Sequence, residues 1–303
     1  MIKLIFGPKV RLELTTDSEI YYLGSPVNAT VNIYTNKDLK MEEVRMELHC
    51  KVKITYDVEE SRYNSSEKRY ETYWTTETRT FDVVNFVQRV IEKGVIKPPG
   101  VSFQWNTIIP QEAPPSHTGR HINTTWTLKV VINRHLRPDI KKEQTLQIYW
   151  HAADSSYLTP VEQPMNFGSV TAILKLPKSV YKFGETVQGT LYLVGIKDEK
   201  FNEIRATLLH YEQVRPASFV SSNVTDFRGD FVNKVVTEKI ANDVKLQPNQ
   251  GIEIPVALRI PMIQQPSIQF QYYTSAWTLK ITLSRRLKKD YNVEMPIIVT
   301  NSY

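Results

Sequence analysis

The sequence predicts an all-β protein built as two tandem immunoglobulin-like antiparallel β-sandwiches, with at most one short helix. Three observations carry that expectation. Apolar residues recur at every second position through many short segments, the period of a half-buried strand. Glycine and proline turn signals separate those segments. The chain also writes its main features twice, in the same order.

The duplication is plainest in WTLKVVINRHLRPD (126–139), which returns 151 positions later as WTLKITLSRRLKKD (277–290). Nearer the start, IYYLGSPVNATVNIY (20–34) faces VYKFGETVQGTLYLV (180–194) at an offset of 160. The same offset pairs KMEEVRMEL (40–48) with KFNEIRATL (200–208). From Gly100 onward the offset is 151, pairing Gly100 with Gly251, Ile109-Pro110 with Ile260-Pro261, and Pro115-Ser116 with Pro266-Ser267. The first copy therefore carries nine extra residues between about 49 and 99. Two units make a duplicated domain and not a solenoid, which needs three or more.

Taken in order, segments 10–15, 27–34 and 43–54 are rich in Val, Ile, Thr and Tyr and read as strands, with a turn at Gly24. Within 43–54, Val44, Met46, Leu48 and Cys50 alternate with polar residues, so Cys50 reads as a small core residue. Strand 70–81 leads into FDVVNFVQRVIEKG (81–94). There Val83, Val87, Val90 and Ile91 fit a helix capped by Asp82 and Gly94, and a strand fits nearly as well. Pro98-Pro99-Gly100 turns the chain into strand 101–109. Trp126, Leu128, Val130 and Ile132 then face a core, with Thr127, Lys129 and Asn133 opposite, before strand 143–150.

The segment HAADSSYLTPVEQPMNFG (151–168) has two prolines and no sustained period. It reads as a linker. The expected organisation is a sandwich over 1–152, a hinge over 153–168 and a second sandwich over 169–303. In the second copy the strands are 169–176, 187–194, 203–211, 231–240, 251–260 and 291–299, with turns at Gly184 and Pro248-Asn249. Trp277, Leu279, Ile281 and Leu283 repeat the alternation of the first copy.

Bulk composition agrees. With 303 residues, 41% apolar and 23% charged, the chain is long enough for two domains, each with its own core. No apolar run approaches the roughly 20 residues of a membrane span. The start, MIKLIFGPKVRLEL, is broken at Gly7-Pro8, too early for a signal-peptide core, so a cytoplasmic location is expected. Cys50 is the only cysteine, which excludes an internal disulfide and a cysteine-rich zinc site. Net charge is +6, with +3 in residues 1–150 and +3 in 151–303, so neither half is a basic tail or an acidic arm.

Four motifs, YYLGSPVNATV and IIPQEAPPSHTGRHINTTWTLKVVI in the first copy, YKFGETVQGTL and RIPMIQQPSIQFQYYTSAWTLKITL in the second, resemble the arrestin-like superfamily. The chain is similar to α-arrestins and to the archaeal and bacterial arrestin-like proteins, and the resemblance spans nearly all of it. It implies the arrestin fold, two sandwiches joined by a short hinge, and a role as adaptor or scaffold. Two departures stand out. The double prolines are followed by Gly100-Val101 and Ser116-His117 and not by the Pro-Pro-x-Tyr pattern of ligase-recruiting tails, and the sequence ends at Tyr303 just after the last strand. The stretch LQIYWHA (146–152), where receptor-binding arrestins carry the arginine of a phosphate-sensing polar core, has no arginine.

Two features are candidate binding sites. The segment DVEESRYNSSEKRY (57–70) reads as a hairpin loop, in the place where the resemblance implies a partner-inserting loop. It lies in the region of the nine extra residues, and long loops on rigid scaffolds often carry recognition. Arg62, Tyr63, Lys68, Arg69 and Tyr70 are its expected contact residues, since Arg and Tyr are favoured interface anchors. The plain alternative is a solvated, charged tip. The basic turns are the second feature: Arg134, His135, Arg137, Lys141 and Lys142 in NRHLRPDIKK, and Arg285, Arg286, Lys288 and Lys289 in SRRLKKD. Their repetition suits an anionic lipid, phosphate or acidic peptide. The alternative is charge that blunts exposed hairpin ends.

Constellations for catalysis are poor. His117 and His121 in HTGRH have i, i+4 spacing, but Gly119 and the preceding Pro114-Pro115 argue for a loop, so no metal is expected there. No phosphate loop, nucleophile elbow or acidic metal cluster is present, and no cofactor is expected. The expectation is a non-catalytic, cytoplasmic adaptor that binds protein partners. The alternative is a peripheral binder of anionic membrane or nucleic acid through the paired basic turns. Between those two ligands the membrane is favoured, because the five tryptophans are not spaced as a base-stacking platform.

Overall fold

The computed structural model describes residues 8–150, 158–215 and 224–301. Among them there is no α-helix, and 22 strands follow one another along the chain. They are β1 (Val10–Thr16), β2 (Ile20–Tyr22), β3 (Pro26–Thr35), β4 (Leu39–Met41), β5 (Glu43–Asn64), β6 (Arg69–Ile91), β7 (Gly94–Ile96), β8 (Gly100–Ile108), β9 (His117–Thr118), β10 (Ile122–Asn133) and β11 (Ile140–Tyr149). The remainder are β12 (Val161–Asn166), β13 (Val170–Leu176), β14 (Val180–Lys182), β15 (Thr186–Gly195), β16 (Glu199–Val214), β17 (Val224–Arg228), β18 (Asp230–Leu246), β19 (Gly251–Arg259), β20 (Ile268–Phe270), β21 (Tyr273–Ser284) and β22 (Tyr291–Thr300). The segment 81–94, open between helix and strand on sequence grounds, is strand to Ile91. Its Val83, Val84, Val90 and Ile91 pack on the first core.

Two compact units are present. The first comprises 1–53, 79–116 and 123–149; the second comprises 54–78, 117–122 and 150–303. In the first, a sheet ordered β1-β3-β8 faces one ordered β5-β10-β11-β2, with β6 on β5. In the second, β12-β13-β15-β19 faces β14-β22-β21-β16-β18. Most strands of the two copies correspond, down to one unusual pairing: β2 lies parallel to β11, and β14 parallel to β22, within otherwise antiparallel sheets. Of the segment 151–168, residues 151–157 lie outside the described residues, and Val161–Asn166 forms β12, paired antiparallel to β13.

Period-two burial builds each core. Trp126, Leu128, Val130 and Ile132 are fully buried in the first, and Trp277, Leu279, Ile281 and Leu283 in the second. Each buried indole needs a partner for its N–H. Trp126 donates to the Pro114 carbonyl at 3.0 Å and Trp277 to the Gln265 carbonyl at 2.8 Å, both twelve residues upstream. The serine hooks repeat as well: Ser116 Oγ accepts from the Ile148 N–H at 2.9 Å, and Ser267 Oγ from the Val299 N–H at 3.0 Å. Gly24 and Gly184 turn the chain at φ 78° and 80°, where a Cβ is disfavoured. Their N–H groups donate to Ile109 and Ile260, both at 2.9 Å. The repeated sequence is therefore a repeated set of core anchors. Cys50 is buried on the inward face of β5, and burial pushes its thiol up to about 12, far from a reactive thiolate.

Candidate functional site

The 57–70 segment is less of a loop than its composition suggests. β5 runs to Asn64 and β6 starts at Arg69, so only residues 65–68 form the turn. Extended pairing replaces the expected loop because cross-strand groups meet all along the hairpin. The Tyr56 hydroxyl donates to Glu77 at 2.8 Å, Thr76 Oγ1 to Asp57 at 2.6 Å and Asn64 Nδ2 to Glu71 at 3.1 Å. On its other edge β5 carries β17, with Phe227 opposite Val58 and Arg228 opposite Asp57. Arg228 stacks its guanidinium 3.8 Å from the centre of the Trp74 ring. At the tip, Asn64 Oδ1 accepts from the Ser66 N–H (3.1 Å), the Ser66 hydroxyl (2.6 Å) and the Glu67 N–H (3.3 Å). This is an Asx turn that suits Lys68 in the left-handed region at φ 54°.

The structure places the five expected contact residues together at this end: Arg62 and Tyr63 on β5, Lys68 in the turn, Arg69 and Tyr70 on β6. Tyr63 and Tyr70 are 56% and 74% exposed, and their rings meet edge to face at 5.3 Å. Arg62 is held by Glu60 at 2.8 Å; Arg69 is held by Glu67 at 2.6 Å and Glu71 at 3.2 Å.

The basic turns are reproduced in both copies, but more narrowly than expected. Lys141 and Lys142 belong to β11, opposite Val131 and Val130, because the ladder with β10 continues through them. The turns proper centre on Leu136 and Leu287, with φ 54° and 55°. Arg134 Nε donates to the Pro138 carbonyl and Arg285 Nε to the Lys289 carbonyl, each at 2.9 Å, closing the two turns in the same way. Arg286, Lys288 and Lys289 are exposed, and Arg285 stacks on Tyr291 at 3.5 Å. Each leucine stands almost free at its tip, 90% exposed for Leu136 and 97% for Leu287. Arg134, His135 and Arg137 also line a cleft of about 700 Å³ in the first unit, beside Lys37, Lys40 and Lys93.

A third cluster lies wholly within the second unit, and sequence reasoning caught only part of it. The inward face of β16 runs Ile204, Ala206, Leu208, His210, Glu212, Val214, all buried. Ionisable residues at two successive core positions were the available signal. His117 is the third member, and its side chain is completely buried. Its Nε2 lies 3.5 Å from Glu212 Oε1, and ligand atoms of His117, His210 and Glu212 all lie within 4.8 Å of one another. His121, the expected partner of His117, turns elsewhere: its Nδ1 donates to the Thr55 carbonyl at 2.7 Å.

Glu212 is gripped by backbone, with the Arg120 N–H on Oε1 at 3.1 Å and the His121 N–H on Oε2 at 2.6 Å. A Cβ on Gly119 would fall 1.8 Å from Glu212 Oε1, so only glycine lets the segment approach this closely. Burial pushes the Glu212 carboxyl up, but the nearby His117 imidazole and the His121 N–H outweigh it and hold the carboxylate below its ordinary range. Burial, reinforced by His117, brings His210 down to about 4, so its ring is neutral at physiological pH.

Two β-sandwiches in tandem, each closed by the same anchors and each carrying the same basic turn before its last strand, define a duplicated scaffold with its exposed features at hairpin ends. A family model described as arrestin (or S-antigen), N-terminal domain, matches residues 10–152, and the corresponding C-terminal domain matches residues 166–303. The chain belongs to the arrestin family. A comparison with curated proteins gave no match. Arrestin domains serve in general as adaptors that bind protein partners. Among the described residues no helix is long and apolar enough to cross a membrane.

Proposed function

We propose that the protein is a non-catalytic cytoplasmic adaptor that engages a protein partner through the tip of the β5–β6 hairpin. The observation that carries this reading is the exposed Tyr63–Tyr70 pair, flanked by Arg62 and Arg69 that carboxylates already hold in place. Rigid aromatic and arginine groups lose little freedom on binding, which is what makes them interface anchors. The proposed division remains 1–152 and 169–303, connected through 153–168, of which β12 forms the later part. Affinity capture from native lysate with the intact protein and a Tyr63→Ser/Tyr70→Ser variant tests the reading. The expected result is one discrete partner that survives high salt and is lost with the variant. An identical set of captured proteins in both arms would sink it.

A second reading, attachment to an anionic membrane surface, is favoured by Leu136 and Leu287, each an exposed apolar tip among cations. Such a tip joins apolar insertion to attraction for acidic headgroups. Co-sedimentation with phosphatidylserine vesicles is the test. Leu136→Asp/Leu287→Asp is expected to abolish it, whereas equal sedimentation of the variant would remove the reading.

A further inference from the structure

We propose that His117, His210 and Glu212 form a binding site for one divalent transition-metal ion, Zn²⁺ by ligand preference, in the interior of the second unit. The argument begins with unmet hydrogen-bonding capacity. Both ring nitrogens of His117 and Nδ1 of His210 are buried without a hydrogen-bond partner. Buried polar atoms are nearly always satisfied, and each orphan is destabilising. One nitrogen from each ring, beside one carboxylate, can be satisfied by a common ligand.

The tautomer of His210 follows from its neighbours. The Ser275 hydroxyl donates its single proton to the Pro266 carbonyl at 2.7 Å, since a carbonyl can only accept. Ser275 Oγ must therefore accept from His210 Nε2, 2.9 Å away, so Nε2 carries the proton. Nδ1 is left as a bare lone pair facing the cluster. This is the usual support for a metal-bound histidine: the far nitrogen donates to an outer partner, and the near one is free to bind. The carboxylate is supported in the same way by the Arg120 and His121 N–H groups.

The separation of His117 and Glu212 favours an ion over a direct contact. At 3.5 Å, His117 Nε2 and Glu212 Oε1 are too far apart for a good charge-assisted hydrogen bond, which falls at about 2.7–2.9 Å. Two ligands at about 2.0–2.1 Å from one tetrahedral Zn²⁺ stand roughly 3.3–3.4 Å apart. Two imidazoles and a carboxylate are a familiar zinc donor set, with the fourth position left to water.

The duplication supplies an internal control. At its own offsets, His210 corresponds to Cys50, Glu212 to Val52 and His117 to Ile268, and all three counterparts are buried. The fold is therefore satisfied by weakly polar or apolar residues at these positions. The chain has instead placed ligating groups at one member of each pair, His210 and Glu212 in the second copy and His117 in the first, on two segments that a bound ion would tie together: 117–122 and β16.

The test uses the full-length, untagged chain stripped with chelator and titrated with Co²⁺ and Zn²⁺. The expected result is one equivalent bound. Co²⁺ should show the intense ligand-field absorption of a low-coordinate nitrogen–oxygen site, and Zn²⁺ should raise the melting temperature with concentration. His210→Leu and His117→Ile should weaken binding on the order of 100-fold or more, while His135→Ala, at an exposed histidine of the first unit, should leave it intact. A folded wild-type protein that gives only the aqua-ion spectrum, with no thermal shift, would overturn the proposal. So would a His117→Ile variant that binds as tightly as wild type. Should the variants not fold, the wild-type spectrum and thermal shift still decide.

Discussion

Single residues set the stability of this protein at two kinds of position. Trp126 and Trp277 each fill a core and satisfy an indole N–H, so truncation leaves both a cavity and an unpaired carbonyl. Trp126→Ala and Trp277→Ala should each lower unfolding free energy by about 3–5 kcal/mol in urea denaturation. Near-equal costs would reflect their equivalent roles. Glu47 is the electrostatic case. It is buried against Arg45 at 2.6 Å, His49 at 3.0 Å and Lys129 at 3.4 Å. Burial works to raise its carboxyl, but the His49 and Arg45 hydrogen bonds and the Lys129 charge outweigh burial and bring it down to about 2. Because the folded value lies below the ordinary 4.5, the stabilisation is whole above about pH 4.5 and is lost as pH falls towards 2. Glu47→Gln should therefore cost about 1–3 kcal/mol near neutrality and almost nothing near pH 2, compared by denaturant titration at the two pH values.

At the scale of the element, the β5–β6 hairpin was the hardest part to read. Its charged, polar outer half looks like a loop, because strand patterning relies on one apolar face and Asp57–Tyr70 offers little of one. Cross-strand side-chain bonds and the β17 edge make it strand instead. The turn depends on Asn64, whose side chain accepts three hydrogen bonds. Asn64→Ala should increase amide hydrogen exchange across residues 62–71, a local opening cost of about 1 kcal/mol, and leave global unfolding within about 0.5 kcal/mol. Protection unchanged at the tip would show that strand pairing holds the turn without Asn64. The basic turns read better. Left-handed leucines in glycine-free turns leave no mark in the sequence, yet the repeat alone locates both turns.

Across the whole molecule, charge separates the two functional readings. The net charge of +6 is spread evenly; cations flank exposed tyrosines at the β5–β6 tip and exposed leucines at the two basic turns. Contacts made through Tyr63 and Tyr70 should persist when salt rises from about 0.1 M to about 0.5 M, whereas vesicle binding through Arg286, Lys288 and Lys289 should fall steeply because screening shortens the range of each charge. Measuring both on one preparation assigns the binding surface. Equal salt sensitivity for the two would contradict the division of labour proposed for the hairpin tip and the basic turns.

Much of the architecture could be read directly from the residue order. Period-two alternation identified the strands, and the duplicated motifs pointed to two sandwiches of one family, because core anchors such as Trp126 and Trp277 leave a local mark that repeats with the fold. The buried cluster could not be read this way. In the sequence His117 stands out for its spacing from His121, yet its neighbours in space stand on β16, more than 90 residues along the chain. A strand pattern tells which side chains face inward; only the pairing of sheets and the path of the connecting segment decide which inward-facing groups meet. That choice rests on long-range hydrogen bonding and packing, and it brought His117, His210 and Glu212 together.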